Sequence, residues 1–295
     1  MVVPYIEEEI ASQPQMWRQA AALLSSGSVA GLPEPGERIA VIGCGTSQFM
    51  AQTYARLREE TGKGESDAFQ ASEFPLARRY DRVLAITRTG TTTEVVRTLD
   101  AIGDSTPTTV FTAEPTSDVV GLAKHAVILD FANERSVVQT RFATSTIALL
   151  RAHLGQDVEA LAADAEAALA LPVPREAFDT RQFTFLGTGW TVGLAHEAAH
   201  KLRESTQSWT ESYAGMEYRH GANCVADERT LAWTFGEPAP NLVEDVRATG
   251  ATVEVGERDA LVELVRVHQL AVELAAAKGL DVDNPRNLTR SVILT

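Results

Sequence analysis

The densest run of chemically able side chains lies at His196-Glu197-Ala198-Ala199-His200-Lys201-Leu202-Arg203-Glu204. Two chemistries compete for it. His196 and His200 stand four apart with a glutamate after the first, the H-E-x-x-H pattern of helical zinc sites. No downstream signature singles out a third ligand, and the helix opens on a glycine turn of the anion-binding kind, so no metal is expected and both histidines read as surface or interface residues. The second stripe is Glu197, Lys201 and Glu204, at i, i+4 and i+7, which puts two carboxylates and an ammonium on one helix face. Carboxylates in unequal surroundings hold different protonation states and can move a proton beside a polarised oxygen. Against this stands the plain alternative of a solvated helix face laced with salt bridges.

Two further segments suit anions. Thr87-Arg88-Thr89-Gly90-Thr91-Thr92-Thr93 follows the apolar run Val83–Ile86 and leads into a helix. Hydroxyls and free backbone N–H groups at a helix start offer many donors with little bulk, which fits a phosphomonoester; the plain alternative is ordinary N-cap chemistry. Gly43-Cys44-Gly45-Thr46-Ser47 also follows a buried strand. As a dinucleotide turn it fails: Gln48 stands where the third glycine belongs, and Asp67 is a poor ribose acid. No cofactor is expected.

These segments need a scaffold, and the sequence supplies a repeating one. Short apolar strands at 38–42, 67–70, 83–86, 108–112 and 126–129 alternate with helical stretches, the signature of βαβ units and a parallel sheet. Residues 140–171 read as helical and alanine-rich, closed by Pro172 and Pro174. The theme then returns. Gln182–Leu186 runs into Gly187-Thr188-Gly189-Trp190-Thr191, so a Gly-x-Gly turn follows a buried strand twice, 144 positions apart. Further strands at 231–234 and 252–255 and a helix over 259–278 complete the second half. The turn after 231–234, Phe235-Gly236-Glu237-Pro238, lacks hydroxyls, so one phosphate site is expected, in the first half. The fold class is α/β: two tandem three-layer α/β/α subdomains, residues 1–165 and 166–295.

Composition narrows the function. The chain has 295 residues, 44% hydrophobic and 22% charged, with a formal net charge of −14. A charge of that sign argues against nucleic acid and against an anionic membrane surface as partners. Two cysteines, Cys44 and Cys224, make no disulfide framework. The N-terminus has neither a basic nor an apolar signal region, and no apolar stretch is long enough to span a bilayer. A cytoplasmic protein is expected.

The motifs together resemble the SIS (sugar isomerase) family, in particular the isomerase half of glucosamine-6-phosphate synthase and its free-standing relatives. Gly43–Ser47 matches the first glycine turn, Ala71-Ser72-Glu73-Phe74 the next motif and Thr87–Thr92 the hydroxyl phosphate loop. Glu134–Arg141 matches the segment entering the inter-domain helices. Lys201-Leu202-Arg203-Glu204, Glu211-Ser212-Tyr213, Glu217 and His220-Gly221 match the isomerase centre, and Asp281–Leu288 matches the C-terminal tail. The resemblance implies two SIS subdomains, a homodimer, and a 6-phosphosugar as substrate. By the same token it implies Glu204 as the base between C1 and C2, Lys201 steadying the oxyanion, and His220, from a partner subunit, assisting ring opening, with Glu197 beside them. Ser47, Thr87, Arg88, Thr89 and Thr92 would hold the phosphate. Gly45, Thr46, Val137, Gln139 and Arg290 would make further substrate contacts.

Three departures shape the expectation. Residue 2 is Val2, so the nucleophilic cysteine of a glutamine-hydrolysing half is absent from this chain. The tail lysine of the synthase is Arg290, and an arginine stays protonated and forms no Schiff base at neutral pH. Arg88 and Thr91 replace a glutamine and a glutamate in the phosphate loop, which adds positive charge there. The expected function is an aldose–ketose isomerase or isomerase/deaminase for a 6-phosphorylated amino or keto sugar. A fructosamine-6-phosphate deglycase and a non-catalytic phosphosugar sensor are the alternatives. The sensor lacks an obvious use for the Lys201, Glu204 and His220 constellation, and only about 38 residues precede the first strand.

Overall fold

The structure, a computed structural model, describes residues 4–294. Helices α1 (Tyr5–Ala11) and α2 (Gln13–Ser25) open the chain. Then come β1 (Ile39–Gly43), α3 (Thr46–Glu60), β2 (Ser66–Gln70), β3 (Arg82–Ile86), α4 (Thr93–Ile102), β4 (Thr108–Thr112), α5 (Asp118–Leu122) and β5 (His125–Ile128). Helices α6 (Arg141–His153) and α7 (Val158–Leu169) follow. The chain continues through β6 (Gln182–Gly187), α8 (Thr191–Thr206), β7 (Trp209–Ala214), α9 (Gly215–Tyr218), β8 (Thr230–Phe235), α10 (Leu242–Arg247), β9 (Thr252–Val255) and α11 (Ala260–Ala277).

The chain forms two compact units. The first comprises Ser12–Arg135, Gln139–Ala162 and the tail from Thr289. Its five strands pair in the order β2-β1-β3-β4-β5, all parallel. A parallel sheet covered by helices buries both faces, so its central strands read as continuous apolar runs. Every residue of β1 is buried, and Ile42, Ala85 and Val110 pack with Val95 and Leu99 of α4. The second unit comprises α1, Ser136–Val138 and Ala163–Leu288. Its strands run β7-β6-β8-β9, again all parallel. The observed class is α/β, with parallel sheets flanked by helices.

The repeated glycines have a steric cause. A Cβ on Gly43 would fall 2.6 Å from the Ser47 carbonyl carbon, and one on Gly187 would fall 2.6 Å from the Thr191 oxygen. Each helix starts so close to its strand that only glycine fits. Gly45 and Gly189 take left-handed φ values of 54° and 58° to make the turn. Both sheets also share a strand order that reverses direction beside the glycine strand. In open α/β sheets, ligands bind outside the carboxyl ends of the strands at that reversal.

The structure adds elements that periodicity did not mark. β7 is an edge strand whose six residues include one buried residue, Thr210, so it lacks an apolar signal. The helical stretch 140–171 is interrupted between His153 and Val158, where Gly155 has φ 85°. No helix among the described residues is long and apolar enough to cross a membrane.

Candidate active site

In the first unit the reversal falls between β1 and β3, and there the glycine turn meets the threonine loop. A cavity of about 20 Å³ is lined by Ser47, Thr87, Thr89, Thr92, Gln139 and Arg290 among others. Gly45 caps α3, while Thr46 and Ser47 form its buried first turn. The Gln139 amide oxygen is buried and accepts no hydrogen bond from described residues. Cys44 lines the same cavity, and burial, with the Glu94 charge adding to it, pushes its thiol up to about 11. It is a protonated thiol at neutral pH.

Arg88 lines the same cavity, but its guanidinium already has an anionic partner. Its guanidinium pairs with Glu134 at 3.2 Å, both side chains at most 1% exposed. Glu134 also accepts from the Thr140 amide and hydroxyl and from the Arg141 amide. A buried guanidinium needs a matching anion. Its charge is therefore shared with Glu134 and is not held for a ligand alone.

The C-terminal tail supplies a residue the sequence reading missed. Ser291 Oγ lies 3.2 Å from Thr89 Oγ1, 2.9 Å from Thr91 Oγ1 and 3.4 Å from Thr92 Oγ1. The Thr93 amide, in the first turn of α4, donates to the Val292 carbonyl at 3.1 Å. Arg290 reaches the Glu134 carbonyl and donates to Asn133 Oδ1 at 2.7 Å. The loop's hydroxyls thus converge on one oxygen, the geometry that takes a multiply accepting oxyanion.

In the second unit the corresponding reversal is closed. Thr191 Oγ1 donates to the Phe235 carbonyl at 2.6 Å and receives the Thr188 amide at 2.8 Å. The chemical groups here lie further along α8. Lys201 Nζ is 3.3 Å from Glu197 Oε1 and 3.0 Å from Glu204 Oε2. Glu197 and Lys201 are each 1% exposed at the side chain, and Glu204 is 13% exposed. Burial pushes the Glu197 carboxyl up, against the pull of Lys201. Burial also opposes ionisation of Glu204, but Lys201 and His200 outweigh it and hold that carboxyl down at about 2. One face therefore carries a carboxyl raised above its ordinary range, a lysine, and a carboxylate held well below that range.

His200 is the second partner of Glu204, its Nε2 lying 2.9 Å from Oε1. His196 instead meets Ser212 Oγ at 2.9 Å through Nδ1. The two histidines of the zinc-like pattern thus engage different groups, and no cluster of three or more His, Cys, Asp or Glu among the described residues could hold a metal. His268 of α11 is fully buried, with no hydrogen-bond partner on either ring nitrogen among described residues. Burial, with the Lys201 charge next, holds its imidazole well below the usual histidine range.

Glu204 and His200 line a cavity of about 710 Å³ with Trp209 and the segment Pro285–Leu288. Trp209 is 71% exposed at the start of β7. His220 is exposed on the turn after α9, where its amide donates to the Glu217 carbonyl at 2.9 Å. It does not line this cavity. Val137 belongs to the second unit and its amide donates to the Asp283 carbonyl at 2.8 Å.

Residues 34–154 match the SIS domain family. The glutamine–fructose-6-phosphate aminotransferase (isomerizing) of Bacillus subtilis strain 168 is 26% identical over 98% of this chain and 58% of its own length. The chain spans a little over half the length of the first curated relatives it matches. A glucosamine-6-phosphate deaminase from Thermotoga maritima superposes with a TM-score of 0.83 at 23% identity, over 98% of this chain and 100% of that one. A tagatose-6-phosphate ketose/aldose isomerase from Escherichia coli superposes with a TM-score of 0.76 at 19% identity, over 99% and 96%. The chain is therefore similar over residues 34–154 to the SIS domain family and along nearly its whole length to isomerizing glutamine–fructose-6-phosphate aminotransferases, and it shares its fold with phosphosugar isomerases and a phosphosugar deaminase.

Proposed function

We propose that the protein is a phosphosugar isomerase, or isomerase/deaminase, acting on a 6-phosphorylated amino or keto sugar. The observation that carries this reading is the unequal carboxylate pair on α8, with Lys201 between Glu197 and Glu204. Aldose–ketose exchange removes a weakly acidic C–H beside a carbonyl and returns the proton one carbon away. That needs an ionised carboxylate at the carbon and positive charge near the growing oxyanion. Glu204 is the base, passing the proton between C2 and C1 through an enediol or enolamine, and Lys201 keeps it ionised. The threonine loop with Ser47 takes the phosphate, and Gln139 and Arg290 complete its surroundings.

The second unit repeats the strand order and glycine turn of the first without its hydroxyl loop, and we read it as a second SIS-type subdomain. The exposed His220 fits a role in ring opening within a homodimer, as the family resemblance implies. Arg290 offers no amine for a Schiff base, so ring opening here proceeds by acid–base catalysis. The names of the related proteins, an isomerizing aminotransferase, a deaminase and a ketose/aldose isomerase, fit the same substrate class. A deglycase for fructosamine 6-phosphates would use the same proton transfer and differ in the group released.

The test is a panel of 6-phosphosugars, 6-phosphorylated amino sugars and fructosamine 6-phosphates, assayed for isomer, ammonia and free amine. Turnover of at least one phosphorylated sugar, with none of its unphosphorylated form, is expected. Binding without turnover across the panel would favour a sensor.

A further inference from the structure

We propose that His200 is a positioning residue for the Glu204 base, holding its carboxylate from the cavity side while Lys201 holds it from the interior. This rests on reading Glu204 as the base. The two donors take different oxygens: His200 Nε2 lies 2.9 Å from Oε1, and Lys201 Nζ lies 3.0 Å from Oε2. A carboxylate with one partner turns easily about its last torsion, whose preference is broad. Held at both oxygens, its plane is set, and with it the direction of the lone pair that must meet a C–H bond.

Exposure separates the two partners. The Lys201 side chain is 1% exposed and that of His200 is 23% exposed. His200 lines the same cavity as Glu204, whereas Lys201 stands behind it between the two carboxylates. As negative charge grows on a sugar oxygen, part of the Lys201 field turns toward that oxygen. The His200 contact is the one that keeps the carboxylate aimed during this exchange. A partly exposed i, i+4 pair contributes little to stability, so the value of the contact lies in orientation. The helical spacing places His200 over the turn before Glu204, which is why a pattern that imitates a zinc motif serves a carboxylate here.

The experiment compares wild type with His200→Ala and His200→Gln on whichever sugar of the panel is turned over. A misaimed reacting group costs up to roughly 100-fold, so His200→Ala should lower kcat by roughly 10- to 100-fold with KM nearly unchanged. Glutamine carries an N–H donor at a similar reach along the helix, and His200→Gln should recover most of the loss. Unchanged kcat in His200→Ala, or His200→Gln no better than alanine, would overturn the role while leaving Glu204 as the base. A second measurement needs no substrate. In protein labelled with ¹⁵N-histidine, Glu204→Gln should shift the His200 ring nitrogens and leave those of His196 in place. An unmoved His200 signal overturns the contact itself. A wild type inactive on the whole panel overturns the isomerase reading, and the catalytic role of His200 with it, whether or not the signal moves.

Discussion

Glu197 and Glu204 carry the same functional group on one helix, and their surroundings push them apart. Burial dominates at Glu197, whereas two donors on two oxygens dominate at Glu204. A pair of acids divided in this way supports the proposed acid–base role. The same helix face has a further titratable neighbour in His268 of α11, which the fold keeps neutral. Its pKa in the folded chain lies below the ordinary 6.5, so the unfolded chain binds the proton first as pH falls. The stability that depends on neutral His268 is complete above about pH 6.5 and lost progressively below it. His268→Gln removes that proton uptake. Denaturation midpoints at about pH 7 and about pH 5.5 should show a shallower acid-side loss in the variant, by up to about 1.4 kcal/mol per pH unit. Equal losses in both proteins would show that His268 does not titrate on unfolding.

At the scale of elements, the hydroxyl loop between β3 and α4 is the feature most open to direct trial. Hydrogen bonds to a charged group contribute about 1.5–3 kcal/mol each. Thr89→Ala with Thr92→Ala should therefore raise KM for the phosphorylated sugar roughly 10-fold or more, while kcat changes little. An unaffected KM, or a phosphate bound elsewhere in a crystal, contradicts the assignment. The loop's position between a strand and a helix was legible in sequence because its five threonines and one glycine follow an apolar run. The glycine turns were legible because a tight strand-to-helix start tolerates no Cβ, which the approaches at Gly43 and Gly187 explain. Other features were hidden for equally physical reasons. β7 is an edge strand with one buried residue, so it leaves no apolar run. Arg88 read as a charge for the loop because its anion, Glu134, lies 46 residues away in sequence. Ser291 meets the threonines from about 200 residues away, a contact that no local pattern encodes. The two histidines of α8 were legible as a pair, but their separate partners, Ser212 and Glu204, appear only once β7 and the helix face are in place.

At the scale of the whole molecule, two parallel sheets of like strand order carry different equipment: hydroxyls in the first unit, carboxylates and lysine in the second. The proposed assembly is a homodimer, and sedimentation equilibrium should give twice the 31.9 kDa of one chain. If His220 serves a partner's active site, mixing inactive Glu204→Gln and His220→Ala proteins should restore part of the activity. A fully active monomer, or no complementation from a well-mixed dimer, contradicts that arrangement. In the proposed mechanism Glu204 moves the proton. The most direct measurement is turnover and solvent deuterium incorporation at C2 by wild type and Glu204→Gln, on the sugar the wild type accepts. A general base is typically worth about 10²–10⁴-fold, so kcat and C2 exchange should both fall by roughly that factor in the variant, with KM little changed. Turnover and exchange near wild-type levels in Glu204→Gln would place the base elsewhere and contradict the account.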